Sequence, residues 1–152
     1  MPRRRTSLEA GEAALAAWLV GCPAGGLPAG GGVAAAGGPA DTSNCAPVGN
    51  AAAARVTVTT AVRYTLEELA ARHPGNAVEV RVPPIGAVQA LTGPAHRRGT
   101  PPAVVETDAE TWLLLATGRI SWDDACQQGR VATSGARADL SAQLPLWPDL
   151  TT

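Results

Sequence analysis

A thirty-residue segment, 21–50, divides the chain and limits how much of it can fold. It contains nine Gly, four Pro and seven Ala residues. With so few large apolar side chains to bury, the segment cannot offset the conformational entropy that it would lose on ordering. We therefore predict a short N-terminal helix at 1–20, a flexible low-complexity linker at 21–50 and a folded domain at 51–148.

The composition as a whole favours one small domain with a modest core. Ala accounts for 31 of the 152 residues and Phe is absent. The 12 Arg and 13 acidic residues give a net charge of −1, which lacks the basic excess typical of nucleic-acid binding. Three Cys do not suit a disulfide framework. No apolar run approaches the roughly 18–20 residues that cross a bilayer, so we expect no transmembrane segment.

The first twenty-one residues allow two interpretations. Apolar side chains recur near helical spacing behind Ser7, a suitable N-cap, and this predicts a short amphipathic helix. The alternative is a bacterial lipoprotein signal with a basic start, a short apolar run and Cys22 as the acylated residue. Glu9 and Glu12 lie between the basic start and the apolar run, which disfavours a signal. We therefore expect a cytoplasmic protein, with a lipoprotein anchored at Cys22 as the alternative.

The spacing of apolar residues within 51–148, together with the Gly, Pro and capping residues between the segments, predicts an α+β fold. Val78, Val80 and Val82 alternate with charged residues, so helices must cover one face of a small antiparallel or mixed sheet. The predicted elements, in order, are a helix at 59–72, strands at 78–82, 85–91 and 103–106, two helices capped at Thr107 and Ser121, a strand at 130–134, and a short helix or docked tail carrying Leu140, Leu144 and Leu146. The connection between the first two strands is short, which favours antiparallel pairing.

The C-terminal half carries a family resemblance. From Val104 onward the chain reads VVETDAETWLLLATGRISWDDACQQGRVATSGARADLSAQL, and the positions of Trp112, Gly118, Gly129 and Gly135 are similar to those of the sterol carrier protein-2 family. Upstream, VEVRVPP and HRRGTPPAVVETD resemble its actinobacterial branch, the bacterial sterol carrier protein orthologue. The resemblance implies about five strands with helices on one face, enclosing a tunnel for a lipid or another small apolar ligand.

The resemblance also implies site residues. An apolar tunnel needs apolar walls with few polar groups. The candidates for its lining are Val80, Val82, Val88, Trp112, Leu115, Trp122, Leu140 and Leu144. Each of these side chains also fits a closed core, which a small domain needs in any case. From the residues themselves we also predict a loop that carries Arg97 and Arg98 beside Gly and Thr, where two guanidiniums suit an anionic head group; a solvated basic turn is the alternative.

No pattern in the sequence indicates catalysis. The two His residues, His73 and His96, have no recognisable partner, and Cys126 lacks a base. Nucleophile-elbow, zinc-protease and phosphate-loop motifs are missing. We therefore predict a non-enzymatic apolar-ligand carrier with no catalytic residue, no cofactor and no metal. The alternative is a closed module of the same fold that binds a protein through its sheet edge or an exposed Trp147.

Overall fold

The structure, a computed structural model, describes residues 5–21, 51–93, 103–135 and 137–148. The predicted linker at 21–50 lies outside these ranges apart from its first residue. The helices are α1 (Leu8–Gly21), α2 (Ala51–Arg72), α3 (Ala109–Ala116) and α4 (Trp122–Gln127), and the strands are β1 (Val78–Val82), β2 (Gly86–Ala90), β3 (Val104–Thr107) and β4 (Val131–Ser134).

The four described strands form one mixed sheet in the order β2-β1-β3-β4. β1 pairs antiparallel with β2 and parallel with β3, and β3 pairs antiparallel with β4. The predicted α+β class and the antiparallel first hairpin are confirmed. The expected count of about five strands is wrong for the described residues. Four segments show strand patterns in the sequence, and the fifth strand came from the resemblance alone.

One face of the sheet is apolar and covered, as the alternation in β1 predicts. Val78, Val80 and Val82 are each 0% exposed and pack in one cluster with side chains of α2 and α3. Glu79 and Arg81 point to the other face, where they form an ion pair of 2.5 Å between Oε1 and Nε. The apolar cluster between the sheet and the helices is therefore the core of the domain.

Two helix starts differ from the sequence prediction. α2 begins at Ala51 rather than near residue 59, because four consecutive Ala residues favour helix strongly. α3 is capped by Asp108, whose side chain accepts a hydrogen bond from the Thr111 backbone N–H, and not by Thr107, which ends β3. The predicted cap of α4 is confirmed, since the Ser121 side chain accepts from the Asp124 N–H.

The N-terminal helix packs against α2. The Ala10 N–H donates to Ser7 Oγ at 3.3 Å, so the predicted cap of α1 is confirmed. Gly11 lies against the ring of Tyr64, and the backbone just before α1 contacts Glu67, so the two helices run in opposite directions.

The chain ends in a docked tail. Leu140 and Leu146 are buried, and the Leu146 N–H donates to the Ala116 carbonyl at 2.9 Å. Trp147, expected to be exposed, is instead half-buried and stacks on Tyr64. The stack explains the difference, because an aromatic face on the folded domain holds the indole.

Candidate functional site

The eight predicted apolar ligand contacts all belong to, or pack against, the core cluster. Five of them are at most 1% exposed, namely Val80, Val82, Trp112, Leu115 and Leu140. Val88, Trp122 and Leu144 are half-buried and pack against the same cluster. The structure thus brings the set together and divides it into interior and rim residues.

Trp112 is fixed in the interior by its polar edge. Its Nε1–H donates to Thr65 Oγ1 at 2.8 Å. The Thr65 hydroxyl lies 2.9 Å from the Ala61 carbonyl and 3.0 Å from that of Val62, so it donates within α2 while it accepts from the indole. A buried N–H that lacked a partner would cost free energy, and here the partner is supplied. Trp112 therefore joins α3 to α2.

The three rim residues lie on three different elements. Val88 is on β2, at one edge of the described sheet, directly across from Val80 in the register. Trp122 is the first residue of α4, and Leu144 follows the turn in the tail, with its N–H donating to the Leu140 carbonyl at 3.0 Å. Because these side chains keep exposed surface, a ligand can contact them without displacing the interior residues.

None of the predicted site residues lies on α2, although this helix supplies a large part of the cluster. Leu66 and Leu69 are buried in it together with Val62. Leu66 Cδ1 lies 4.0 Å from the position that a Cβ on Gly86 would occupy, so α2 packs over β2. The helical spacing of these three residues in the sequence is the pattern that could have identified them as part of the cluster.

A cluster of polar side chains that was not predicted lies where α3 and β4 begin. Arg130 Nε donates to Thr111 Oγ1 at 3.0 Å, and that hydroxyl donates to Asp108 Oδ2 at 2.5 Å. The Arg130 carbonyl accepts from Thr107 Oγ1 at 2.8 Å. Arg130 Nη1 is buried and has no hydrogen-bond partner among the described residues. Among the described residues, Arg130 Nη1 is therefore a buried donor atom without an acceptor.

The structure supplies no further polar or metal site among the described residues. Arg97 and Arg98 lie outside the described residues, so their role stays a prediction. In the described ranges, no three His, Cys, Asp or Glu side chains gather as a metal ion would need. None of the helices in the described part of the chain is long and apolar enough to cross a membrane.

Comparison with known proteins identifies the domain. Among curated proteins, none matches the chain. Residues 54–146, which are 93 of the 152, match the family described as bacterial SCP ortholog, where SCP denotes sterol carrier protein. The match runs from the first turns of α2 to the docked tail and includes the whole described sheet, whereas α1 lies outside it. The chain therefore belongs to the bacterial sterol carrier protein ortholog family.

Proposed function

We propose that this domain binds a lipid or another small apolar molecule against the core cluster and catalyses no reaction. Membership of a sterol carrier family supports a carrier-type module. The observation that carries the proposal is the apolar rim. Val88, Trp122 and Leu144 keep exposed surface while they pack against a cluster that continues between the sheet and the helices.

The rim is where binding begins. The five interior residues offer almost no free surface in this state, so a ligand reaches them only when the packing around them opens. Contact with the rim needs no such opening. A ligand that displaces water from a rim side chain gains roughly 25 cal/mol for each Å² of apolar surface removed from water. Truncation of a rim side chain should therefore weaken binding directly.

Three arginines are the proposed contacts for an acidic head group. Arg130 Nη1 is a buried donor without a described partner, and a ligand carboxylate is an acceptor of the right charge. Arg97 and Arg98, which lie outside the described residues, carry the same guanidinium chemistry. We therefore propose an apolar ligand with a carboxylate or a similar anionic end.

The first test is native mass spectrometry of protein purified without detergent, followed by extraction and identification of any bound lipid. A stoichiometric adduct supports the carrier. A panel of fatty acids and sterols at about ten times Kd should stabilise the fold by about 1.4 kcal/mol, which raises Tm by about 5 °C or more. The absence of both an adduct and a thermal shift refutes the proposal.

Variants locate the site. Trp122→Ala should raise Kd several-fold, because it removes a rim contact. Val20→Ala is the matched control, since Val20 lies on α1 and is 88% exposed. Equal affinities in the two variants would remove Trp122 from the site.

A matched ligand pair tests the head group. A fatty acid should bind more tightly than its methyl ester, and Arg130→Gln or the double variant Arg97→Gln/Arg98→Gln should reduce that preference. An unchanged preference in both variants refutes the arginine contacts.

A second function is favoured by the tight burial of the interior. If the five buried candidates form only a closed core, the module has kept the fold without a ligand space. One surface that it offers to a partner is β4, at one edge of the described sheet, where residues 132–134 are exposed. Failure of the ligand tests together with capture of a protein on this edge would support the closed module.

A further inference from the structure

α1 is attached to the domain at both of its ends. Glu67 accepts hydrogen bonds of 3.1 Å from each of the two backbone N–H groups just before the helix, those of residues 5 and 6. At the other end, Arg119 Nη2 donates to the Leu19 carbonyl at 3.4 Å, and its guanidinium lies 5.7 Å from the centre of the Trp18 ring. The negative charge is at the N-terminus and the positive charge at the C-terminus, which suits the helix dipole.

The middle of α1 meets the domain at a close contact. Gly11 has no side chain, and a Cβ there would lie 2.3 Å from Cγ and Cδ2 of Tyr64. The helix backbone therefore lies directly on the Tyr64 ring. The same ring stacks on Trp147 of the tail, with 5.7 Å between centroids and 26° between planes. Tyr64 is thus a shared contact of the N-terminal helix and the C-terminal tail.

The tail depends on a small set of contacts around Trp147. The Arg72 guanidinium lies 4.9 Å from the Trp147 ring centre, and Arg72 Nη1 donates to the Leu146 carbonyl. The Leu146 N–H donates to the Ala116 carbonyl at 2.9 Å. The tail also carries Leu140 and Leu144, two of the predicted ligand contacts. A change at Tyr64 can therefore reach the candidate site through Trp147.

We infer that α1 is a strap that keeps the C-terminal tail, residues 137–148, in place on α2 and α3. When α1 is docked, its backbone at Gly11 fixes the Tyr64 ring against Trp147. When α1 leaves, Tyr64 loses that support and the tail loosens. α1 lies outside the family match, so the strap is added to the matched domain. The further consequence, slower exchange of an apolar ligand, rests on the proposed function.

Amide hydrogen exchange of the full chain without ligand tests the strap. Trp18 is 1% exposed and anchors α1 on the domain, so Trp18→Ala removes this anchor. Val20→Ala, at an exposed position of the same helix, is the control. In Trp18→Ala we expect the Leu146 amide to exchange about two to twelve times faster, the range that one aromatic pair contributes. The Glu79 amide, which donates to the Ala103 carbonyl inside the sheet, is the reference and should change less. Val20→Ala should leave both rates unchanged.

Two results would overturn the strap. In the first, the α1 amides of Trp18→Ala lose protection while Leu146 exchanges at the wild-type rate. In the second, Leu146 and Glu79 accelerate equally, which would mean that the whole fold is weakened. Should Trp18→Ala fail to fold, Glu67→Gln replaces it, because this change removes one of the two acceptors at the start of α1 and leaves the core intact. The strap is then supported if Leu146 exchange accelerates more than Glu79 exchange in Glu67→Gln, and refuted if it does not.

The ligand consequence has its own readout. If the domain carries an apolar ligand, Trp18→Ala should release a fluorescent fatty acid faster than Val20→Ala does. If no ligand binds at all, the proposed function fails while the exchange ratio still confirms or refutes the strap. Equal release rates, with a loosened tail, would show that the strap does not control the site.

Discussion

Replacement of Thr65 by Val would test whether Trp112 is held in place as a structural link. Both residues are 0% exposed, and the indole Nε1–H donates to Thr65 Oγ1 at 2.8 Å. Val has nearly the shape of Thr but no hydroxyl group, so the indole N–H keeps its position and loses its acceptor. A buried donor without a partner costs about 1–3 kcal/mol. We expect Thr65→Val to lower the free energy of unfolding by about 2 kcal/mol, within that range.

Urea denaturation followed by tryptophan fluorescence measures this loss. With an m value of about 2 kcal/mol/M, a loss of about 2 kcal/mol lowers the midpoint by about 1 M. Thr65→Ser is the matched control, because Ser keeps the hydroxyl and loses only one buried methyl group, which costs about 1 kcal/mol. Thr65→Val should therefore be the more damaging change, although it preserves more apolar volume.

A Trp112→Phe background decides whether the hydrogen bond is the cause. Phe has no N–H, so Thr65→Val leaves no indole donor unpaired there and should cost about 1–2 kcal/mol less than in the wild type. The same cost in both backgrounds would refute the reasoning, since the loss would then come from α2 itself.

Three further changes test other parts of the fold. Gly11→Ala should lower the free energy of unfolding by about 1–3 kcal/mol, because its Cβ would meet the Tyr64 ring; a higher Tm, the usual effect of Gly→Ala inside a helix, would contradict the contact. Asp108→Ala should cost about 1 kcal/mol through loss of the α3 cap, and Asp108→Asn should cost less, as calorimetry would show. Burial raises the pKa of the Cys126 thiol, and the charges of two nearby Asp residues, Asp123 first, add to the rise. Cys126 should therefore hold less thiolate at pH 8 in the folded protein than in the unfolded chain and should react more slowly with iodoacetamide, as mass spectrometry of its peptide would show. Asp123→Asn should speed the reaction at Cys126, and an equal or faster rate at Cys126 in the folded protein would contradict this.

Much of the fold could be predicted because local patterns control it. The alternation at 78–82 identified β1 and its buried face, and Ser121 identified the start of α4. The start of α2 was missed because a run of Ala carries no periodicity, although its helix propensity is high. Thr107 and Asp108 are both good caps, and the sequence alone does not show that β3 continues through Thr107.

The sequence predicted which side chains belong to the apolar cluster or pack against it, but not how closely they pack. Apolar periodicity shows which face of an element is covered, but not whether the space behind that face is filled. The division into interior and rim residues depends on how α2, α3 and the tail meet, and those contacts join distant parts of the chain. Tyr64 and Trp147 stack although they lie 83 positions apart in the sequence, and no local pattern indicates such a pair.

Three of the four Trp residues show how a chain with 31 Ala and no Phe fixes the positions of its elements. Trp18 joins α1 to Arg119, Trp112 joins α3 to Thr65 of α2, and Trp147 joins the tail to α2 through its stack on Tyr64. Each ring has a hydrogen-bonding, cationic or aromatic partner in addition to its apolar contacts, and such contacts depend on direction. Ala side chains bury surface without selecting an orientation, so the specificity of packing has to come from the few large side chains. This explains why an Ala-rich core can hold one arrangement, and why changes at these three junctions should loosen elements that lie far from the substituted residue.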